Sequence, residues 1–349
     1  EKCFRQRYTI AGSYKLSWSV IEMPIRVLVV DDSVTVRRLI SEVLATDKDF
    51  NIVGTAKDGI EAVALASHLK PDLITMDLNM PRMDGITATE QIMAYYPARI
   101  LVFSSLLASD VDLAFQAISA GAVDIMEKPA NIRDSKVAEA LIGKVKLISK
   151  VSVRTHPRGR VQADTAHSRL ILSSHATDTK GNARIVAIGA STGGPKALGK
   201  ILPVIPADFP VGIIIVQHIS SGFSTGLAYW LNKESQITVK IAERGDTVKA
   251  GLALIAPYGS HILIQQGGTV RLNKGLPVEG NRPSVSVLLS SVAKVYGKKA
   301  IGVILTGMGT DGATGLAEVK AAGGQTIAQD EQSSDIFGMP RAAIELGAA

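Results

Sequence analysis

The sequence of 349 residues is poor in cysteine and in aromatic side chains: it has one cysteine, Cys3, and 5% of its residues are aromatic. One cysteine excludes an internal disulfide and a cysteine-based zinc cluster, and it suits a reducing compartment. Long apolar runs are also absent, since none approaches the roughly 20 residues of a membrane-spanning helix. The sequence therefore predicts a soluble, cytoplasmic protein without direct membrane insertion.

The chain is weakly basic, with a formal net charge of +6 and an isoelectric point near 9.3. This balance would permit an acidic partner, but the lysines and arginines are scattered and few aromatic residues lie among them. We therefore expect no nucleic-acid partner. The six histidines are spread along the chain without the spacing of metal ligands.

Short apolar runs alternate with segments of helical periodicity along most of the chain. The runs in the first half are IRVLVV, DLITM, RILVFS and DIMEK, and those in the second half are RIVAIGAS, VGIIIVQH, LALIAP, HILIQQ, AIGVILTG and QTIAQD. Runs of this length, separated by helices, are typical of a parallel sheet covered on both faces. The sequence therefore predicts two α/β domains, over residues 24–150 and 184–349, with a hairpin in the second from Gly251 to Leu272.

Two segments lie outside this alternation. Residues 1–23 mix charged, aromatic and polar side chains without the apolar core of a signal peptide, so we expect a disordered leader and a natural start at Met23. Residues 151–183 lose periodicity and are rich in Arg, Ser, Thr, His, Pro and Gly. That composition is typical of an interdomain linker.

Polar residues stand at the carboxyl ends of the predicted strands, where open parallel sheets bind their ligands. In the first domain they are Asp31, Asp32, Asp77, Ser104 and Lys128. Three carboxylates at one sheet edge suit a hard cation such as Mg²⁺, and a lysine and a hydroxyl beside them would bind phosphoryl oxygens. Each acid alone could equally be a solvated strand-end or helix-capping residue. Their joint order favours a phosphoryl site.

The motifs VLVVDDS, DLITMDLNMPRMDG, FSS and MEKP, within residues 25–150, resemble those of response-regulator receiver domains. The resemblance implies a flavodoxin-like, doubly wound fold in which a histidine kinase phosphorylates Asp77. It also implies a Mg²⁺ site and two residues that sense the phosphoryl group. The implied Mg²⁺ ligands are Asp31, Asp32, Asp77 and the backbone carbonyl of Asn79, and the implied sensors are Ser104 and Lys128.

The stretch AIGASTGGPK, residues 187–196, leaves a choice of chemistry at Ser191. A strand ends there and Pro195 suits the first turn of a helix, so N–H groups beside the serine could bind a phosphate or an oxyanion. A Walker-type phosphate loop needs Gly-Lys-Ser/Thr at its end, which this stretch lacks. A nucleophilic serine is the better interpretation, and His218, which ends the neighbouring apolar strand, is its candidate base.

A second stretch, GMGTDG at residues 307–312, formally matches the dinucleotide fingerprint G-x-G-x-x-G, and Asp330 stands where a ribose-binding acid is expected. However, Asp311 would place a carboxylate beside the phosphate charge. A dinucleotide site, and with it an oxidoreductase, is therefore the less favoured alternative. Asp311 instead suits the orienting acid of a serine–histidine–aspartate triad, or the N-cap of the helix after Gly312.

The motifs IGASTGGPKAL, QHI, NRPSVSVLLSS, LTGMGTDGATG and FGMPRAA cover nearly all of residues 184–349 and resemble those of chemotaxis protein-glutamate methylesterases. The resemblance implies a three-layer α/β catalytic domain with Rossmann-like topology. It implies a triad of Ser191, His218 and Asp311, with the backbone of Met308 beside the oxyanion and Thr192 as a neighbouring active-site hydroxyl.

The function implied by this resemblance is that of a phosphorylation-activated serine esterase. It would demethylate glutamyl methyl esters of methyl-accepting chemoreceptors and deamidate specific receptor glutamines, with a chemotaxis histidine kinase as phosphodonor and no cofactor for the esterase chemistry. Two features depart from the family: Ser286 stands where aspartate is common, which could alter substrate or interdomain contacts, and the chain stops at LGAA where relatives continue. A non-catalytic docking protein that responds to phosphorylation is the rival hypothesis.

Overall fold

The computed structural model describes residues 23–128, 134–153 and 184–349. Nearly all of the predicted leader, residues 1–22, and most of the predicted linker, residues 154–183, lie outside these ranges. The expectations for those two segments stay predictions. No helix in the described ranges is both long enough and apolar enough to cross a membrane.

Strands and helices alternate in the first domain. In chain order they are β1 Ile25–Val30, α1 Val34–Ala45, β2 Phe50–Ala56, α2 Gly59–Leu69, β3 Leu73–Asp77, α3 Gly85–Tyr95, β4 Arg99–Ser104, α4 Ala108–Ala120, β5 Asp124–Glu127 and α5 Ser135–Ile148. The strands form one parallel sheet in the order β2-β1-β3-β4-β5. This is the flavodoxin-like, doubly wound order, so the predicted fold class of this domain is confirmed.

The apolar runs of the sequence predict four of the five strands of this domain and miss the edge strand β2. Its sequence FNIVGTA mixes polar and apolar residues, and only its first and last residues are buried. An edge strand needs no continuous apolar run, because one side of it faces solvent. The central strand β3 is buried along its whole length and carries the run that made it predictable.

The second domain has a larger sheet and a separate hairpin. In chain order its elements are β6 Ile185–Ala190, α6 Gly194–Ile201, β7 Gly212–Gln217, α7 Phe223–Glu234, β8 Thr238–Ile241, β9 Leu252–Ile255, β10 His261–Gln265, β11 Thr269–Asn273, α8 Val285–Tyr296, β12 Ala300–Ile304, α9 Ala313–Ala321, β13 Gln325–Ala328 and α10 Met339–Glu345. The six-stranded sheet is parallel throughout, in the order β13-β12-β6-β7-β9-β8. The predicted α/β class is confirmed here as well.

The strand order of this sheet reverses at β6. From β6 the chain moves outward through β7 on one side and returns to lay β12 and β13 on the other. Crevices that bind ligands in open α/β sheets lie at such a switch point, beyond the carboxyl ends of the strands. The loops that follow β6, β7 and β12 carry Ser191, His218 and Asp311, so the topology brings these three residues to one crevice.

The predicted hairpin from Gly251 to Leu272 is wrong in its extent. The antiparallel hairpin joins only β10 and β11, whereas β9 pairs in parallel with β7 and β8 inside the main sheet. All four residues of β9 are buried, because the strand is covered on both faces. The short strand β8, which was not predicted, closes the sheet beside it.

The two domains pack together through helix α4 of the first and helix α7 of the second. Phe115 stacks on Trp230 with ring centroids 5.5 Å apart and planes 11° from parallel. The backbones approach so closely at Gly226 that an added Cβ would lie 1.9 Å from Cγ1 of Val111. At the edge of this contact, the side chain of Leu106 covers Gly222, in the loop that follows His218. The interface therefore reaches the region of the crevice.

Candidate functional site

Ser191 follows β6 in a tight turn that leads into α6. Gly193 adopts a left-handed conformation with φ of 79°, and Pro195 occupies the first turn of the helix, as the sequence predicts. On the other side, Gly307 lies so close that a Cβ added to it would be 2.7 Å from Cβ of Ser191. A side chain at position 307 would displace Ser191, so glycine is required there by the close approach.

His218 and Asp311 are in direct contact: Nε2 of the imidazole lies 2.9 Å from Oδ2 of the carboxylate. Asp311 is 1% exposed, and its carboxylate is held by the first turn of α8. Its Oδ2 accepts a hydrogen bond from the N–H of Val285 at 2.8 Å, and its Oδ1 accepts from the N–H of Ser286 at 2.9 Å and from the hydroxyl of Ser284 at 2.8 Å. The acid is therefore fixed by four donors.

These donors keep Asp311 ionised. Burial alone would raise the pKa of the carboxyl, but the hydrogen bonds from His218 and from the backbone N–H groups of Ser286 and Val285 outweigh it, so the pKa is lowered from its ordinary value. The N-terminus of α8 adds a favourable helix dipole. A buried carboxylate that stays charged can orient an imidazole and stabilise its protonated form.

The expectation that Asp311 caps the helix after Gly312 is wrong. The N-cap of α9 is Gly312 without a side-chain cap, and the Asp311 carboxylate points instead to α8. The hydroxyl of Ser286 takes the capping role for α9, because it accepts a hydrogen bond from the N–H of Gly312 at 2.7 Å. Ser286 is buried and also contacts Thr314, so its hydroxyl links α8 to the start of α9.

Ser191 and His218 occupy adjacent strand ends. The N–H of His218 donates to the carbonyl of Ala190 at 2.9 Å, and β6 pairs with β7 up to the residue before each of them. Within the described ranges no hydrogen bond joins the Ser191 hydroxyl to the imidazole. Such contacts are often long before substrate binds. Because Nε2 faces Asp311, Nδ1 is the ring nitrogen that can serve Ser191.

Two further predicted residues flank the serine. Thr192 is 5% exposed, and its carbonyl accepts a hydrogen bond from the hydroxyl of Thr306. Met308 directly follows Gly307, and its side chain is 59% exposed on the rim of the crevice. The buried amide of Gln217 lies between Ser191 and His218 and was not predicted. The signal for it in the sequence is a polar residue at the end of an otherwise apolar strand, GIIIVQ.

A cavity of about 240 Å³ opens beside His218. Its other walls are Tyr258 with Gly259 and the loop from Pro277 to Pro283. The loop is tied to the turn after β12, because the hydroxyl of Thr310 donates to the Glu279 carboxylate at 2.9 Å. A substrate side chain can therefore enter next to the imidazole.

The acidic site of the first domain gathers at the ends of β1 and β3. Carboxylate oxygens of Asp31, Asp32 and Asp77 lie within 4.8 Å of one another. Nζ of Lys128 lies 2.9 Å from Oδ2 of Asp31 and 3.0 Å from Oδ2 of Asp77. One ammonium thus faces three carboxylates, and this excess of negative charge with oxygen-only ligands fits a divalent cation such as Mg²⁺.

The pKa of Asp77 is shifted in the opposite direction from that of Asp311. Burial, followed by repulsion from Asp31, raises the pKa of Asp77 above its ordinary value in spite of the Lys128 contact. Asn79 is exposed, and its side-chain amide donates to Asp110 at 3.0 Å, which leaves its backbone carbonyl as the group that could join the carboxylates. The geometry is compatible with the implied cation ligands.

The Ser104 hydroxyl is linked to α4 and thereby to the domain interface. It donates to the backbone carbonyl of Asp110 at 3.0 Å, in the first turn of α4. The Asp110 carboxylate accepts from Asn79 and from the hydroxyl of Ser105. A phosphoryl group that attracted Ser104 would have to compete with these contacts, so the helix that touches the second domain is coupled to the acidic site.

The dinucleotide alternative finds no support in the placement of its two acids. Asp311 is engaged by His218 and α8, and Asp330 is a local turn residue whose carboxylate accepts from the N–H and hydroxyl of Ser333. Neither carboxylate is available in the arrangement that the fingerprint requires.

Comparison with known proteins matches two family models to two parts of the chain. The model of the CheB methylesterase family matches residues 186–349, and that of the response regulator receiver domain matches residues 27–138. The chain is 45% identical over 330 residues to protein-glutamate methylesterase/protein-glutamine glutaminase 2 of Anaeromyxobacter dehalogenans, covering 94% of this chain and 93% of that one. The chain belongs to the CheB methylesterase family.

Other relatives and solved structures show the same similarity. The protein-glutamate methylesterase/protein-glutamine glutaminase of Pyrococcus horikoshii is 41% identical over 332 residues, covering 93% of this chain and 88% of that one. Among solved structures, the catalytic domain of the Thermotoga maritima CheB methylesterase is 45% identical, covering 48% of this chain and 90% of that one with a TM-score of 0.47. The response regulator domain of the same protein is 40% identical, covering 37% and 99% with a TM-score of 0.35. The predicted family, a receiver domain joined to a methylesterase domain, is confirmed.

Proposed function

We propose that this methylesterase hydrolyses glutamyl γ-methyl esters of chemoreceptors and deamidates specific receptor glutamines, with Ser191 as nucleophile, His218 as base and Asp311 as orienting acid. The observation that carries the proposal is the 2.9 Å contact between His218 and a buried, ionised Asp311, at the switch point beside Ser191. The relatives are named for both activities. The single cysteine suits a reducing compartment and, with this substrate class, supports a cytoplasmic enzyme.

The acylation step follows from the positions of the three side chains. The Ser191 oxygen attacks the ester carbonyl carbon while its proton passes to Nδ1 of His218, and Asp311 stabilises the imidazolium through Nε2. The tetrahedral intermediate carries its negative charge on the former carbonyl oxygen, beside the backbone N–H groups of Thr192 and Met308. It collapses when the carbon–oxygen bond to the methoxy group breaks, and the proton on His218 leaves with methanol.

Deacylation reverses these roles. Water gives one proton to Nδ1 of His218 and attacks the acyl carbon; the bond to Ser191 then breaks, that proton passes to the Ser191 oxygen, and the product leaves as the carboxylic acid, which loses its remaining proton to solvent. An amide substrate passes through the same intermediate with ammonia as the leaving group, which accounts for a glutaminase activity at one site.

Regulation is proposed to act through the domain interface. Asp31, Asp32, Asp77 and the Asn79 carbonyl would hold Mg²⁺, which neutralises charge around the phosphoryl group when bound, and Asp77 would receive that group from a histidine kinase. Ser104 and Lys128 would bind phosphoryl oxygens. Since Ser104 contacts α4 and α4 packs on α7, phosphorylation would loosen a receiver domain that restricts access to the crevice.

The proposal is tested by methanol release from methyl-labelled chemoreceptor membranes. We expect Ser191→Ala to lower the rate at least about 10⁴-fold, as removal of a nucleophile does in serine hydrolases. Ser135→Ala, which changes an exposed serine of α5 in the first domain, is the matched control and should retain the full rate. Mg²⁺ with a small phosphodonor should raise the rate of the unaltered chain.

The rival hypothesis of a non-catalytic docking protein predicts that no methanol is released. If the full chain with Mg²⁺ and phosphodonor releases no methanol from receptors that another methylesterase demethylates, the esterase function is excluded. A rate that persists in Ser191→Ala would instead reject the assigned nucleophile while leaving the activity in place.

A further inference from the structure

The amide of Gln217 occupies the space between the two strand ends that carry Ser191 and His218. Gln217 is the last residue of β7 and is 3% exposed. Its Nε2 donates to the backbone carbonyl of Ser191 at 2.7 Å and to the backbone carbonyl of His218 at 2.9 Å. One side chain therefore fixes the peptide groups on the carboxyl side of both residues.

The direction of this amide is determined by its surroundings. Its Oε1 is buried without a hydrogen bond and lies against α6, where a Cβ added to Gly194 would be 2.0 Å from it. If the amide were reversed, Oε1 would face two carbonyl oxygens and the NH₂ group would lack an acceptor, which is the less favourable arrangement. A buried oxygen without a donor carries a cost in stability. A glutamine kept there at that cost indicates a use for its two donated hydrogen bonds.

The use follows from the geometry of the peptide between Ser191 and Thr192. Its carbonyl accepts from Gln217 and also from the N–H of Gly194 at 2.8 Å, so its direction is fixed by two donors. In a trans peptide the N–H points opposite to the C=O. The N–H of Thr192 is thus directed away from Gln217, and it makes no hydrogen bond to the described part of the chain.

An N–H group in this position has a known role in acyl transfer. In hydrolases with a nucleophile at a strand-to-helix turn, the N–H of the residue after the nucleophile stabilises the oxyanion. Such a donor contributes only if it is already aligned when the negative charge develops. The hydrogen bond from Gln217 to the carbonyl of the same peptide supplies that alignment, and Gln217 itself does not touch the substrate.

We propose that Gln217 is a positioning residue for hydrolysis: it orients the Thr192 N–H toward the oxyanion and holds the His218 backbone in register with Ser191. This inference rests on the proposed function of the crevice. It assigns Gln217 no contact with substrate, and therefore predicts an effect on the transition state without an effect on ground-state binding.

The first test replaces Gln217 by methionine, which has similar length and no amide. In the full chain with Mg²⁺ and phosphodonor, we expect kcat for methanol release to fall about 10- to 100-fold, less than the roughly 100- to 1000-fold lost with an oxyanion donor itself. KM should stay within about twofold, because the lost bonds do not bind substrate. Gln265→Met, at the exposed end of β10, is the matched control and should keep the wild-type kcat.

The second test replaces Gln217 by glutamate and follows pH. The ionised side chain repels the two carbonyls, whereas the protonated side chain can donate one hydrogen bond, and burial beside carbonyl oxygens raises a carboxyl pKa. The ratio of the Gln217→Glu kcat to the wild-type kcat should therefore rise at least about threefold from pH 8 to pH 6. The same ratio for Gln217→Met should stay constant. The contrast between the two ratios ties the effect to the charge at position 217 and not to the loss of the amide alone.

The outcomes separate this inference from the function on which it rests. A Ser191→Ala variant that retains activity rejects the proposed site itself. If Ser191→Ala is inactive and Gln217→Met keeps the wild-type kcat, or if its loss lies in KM, the positioning role alone is overturned. Should Gln217→Met fail to fold, a pH-independent ratio for Gln217→Glu overturns the role and a rising ratio supports it.

Discussion

Asp77 and Asp311 lie at corresponding places in two parallel sheets, and yet their pKa values are shifted in opposite directions. Both are almost inaccessible, with 4% and 1% of their surface exposed. Asp311 is surrounded by donors from His218 and α8, which lower its pKa in spite of burial. Asp77 faces another carboxylate and one shared ammonium, and its pKa is raised.

The difference lies in how far the chain itself satisfies each carboxylate. It supplies every donor that the Asp311 carboxylate needs, which suits the orienting acid of the proposed triad. The negative charge around Asp77 exceeds what Lys128 can neutralise, which suits a bound divalent cation. A preorganised acid suits an enzyme, and an incompletely neutralised one suits a switch.

The largest effect is expected from removing the negative charge of Asp311. Asp311→Asn replaces one acceptor oxygen by an NH₂ group among donors, and it removes the charge that stabilises the imidazolium. We expect kcat for methanol release to fall about 10⁴-fold, as in serine proteases with the same change. Asp330→Asn, at an exposed turn, should leave kcat unchanged. Retention of more than about a tenth of the rate would show that the charge of Asp311 is dispensable.

An intermediate effect is expected from changing the contact between α4 and α7, which joins the two domains. Gly226→Ala adds a Cβ that would lie 1.9 Å from Val111, while within α7 it favours the helix by about 1 kcal/mol. The substitution should separate the domains and raise the rate of the unphosphorylated enzyme several-fold. Gly143→Ala in α5 has no atom within 4 Å of its new Cβ and is the matched control. An unchanged unphosphorylated rate for Gly226→Ala would argue against inhibition by this interface.

The smallest effect is expected from adding Mg²⁺, whose positive charge would act on the carboxylates around Asp77. Its folded-state pKa lies above the unfolded value of about 3.9, so ionisation destabilises the fold as pH rises through that interval, and a bound cation offsets the loss. Mg²⁺ at ten times its Kd should stabilise the first domain by about 1.4 kcal/mol. We expect this gain in thermal stability to be larger at pH 7 than at pH 4.5.

Asp77→Asn is the variant that checks this assignment. It removes the titrating carboxylate, so the gain from Mg²⁺ should shrink and lose its pH dependence, and a phosphodonor should no longer change the rate of methanol release. For Asp311 the sign is opposite: its stabilisation is complete above pH 3.9 and is lost as pH falls through its lower folded-state pKa. An equal Mg²⁺ effect in wild type and Asp77→Asn would place the cation elsewhere.

Much of the fold was predictable because the buried strands of a parallel sheet are visible in the sequence as short apolar runs. Buried strands need apolar runs: IRVLVV coincides with β1, and DLITM, RIVAIGAS and VGIIIVQH end within one residue of the ends of β3, β6 and β7. The edge strand β2 lacks such a run and was missed. The assignment of β9 to a hairpin failed because pairing partners are chosen by the whole sheet, not by the neighbouring residues.

The candidate site was predictable only in its outline. Ser191, His218 and Asp311 each end a predicted strand or follow one closely, and the topology brings them to one crevice. The donors to Asp311 come from residues 284–286, about 25 positions away in the chain, and no local pattern indicates them. Gln217 was overlooked since one glutamine at a strand end resembles any solvated residue.

The sequence by itself determined the class of the two domains, the family and the residues that stand at the strand ends, because apolar periodicity and short motifs are local properties. The tertiary structure decided which helix holds Asp311, which amide links Ser191 to His218, and where α4 meets α7. Those features depend on side chains from distant segments that meet only after the sheets form. Their energies arise from burial and hydrogen-bond geometry, which a linear pattern does not contain.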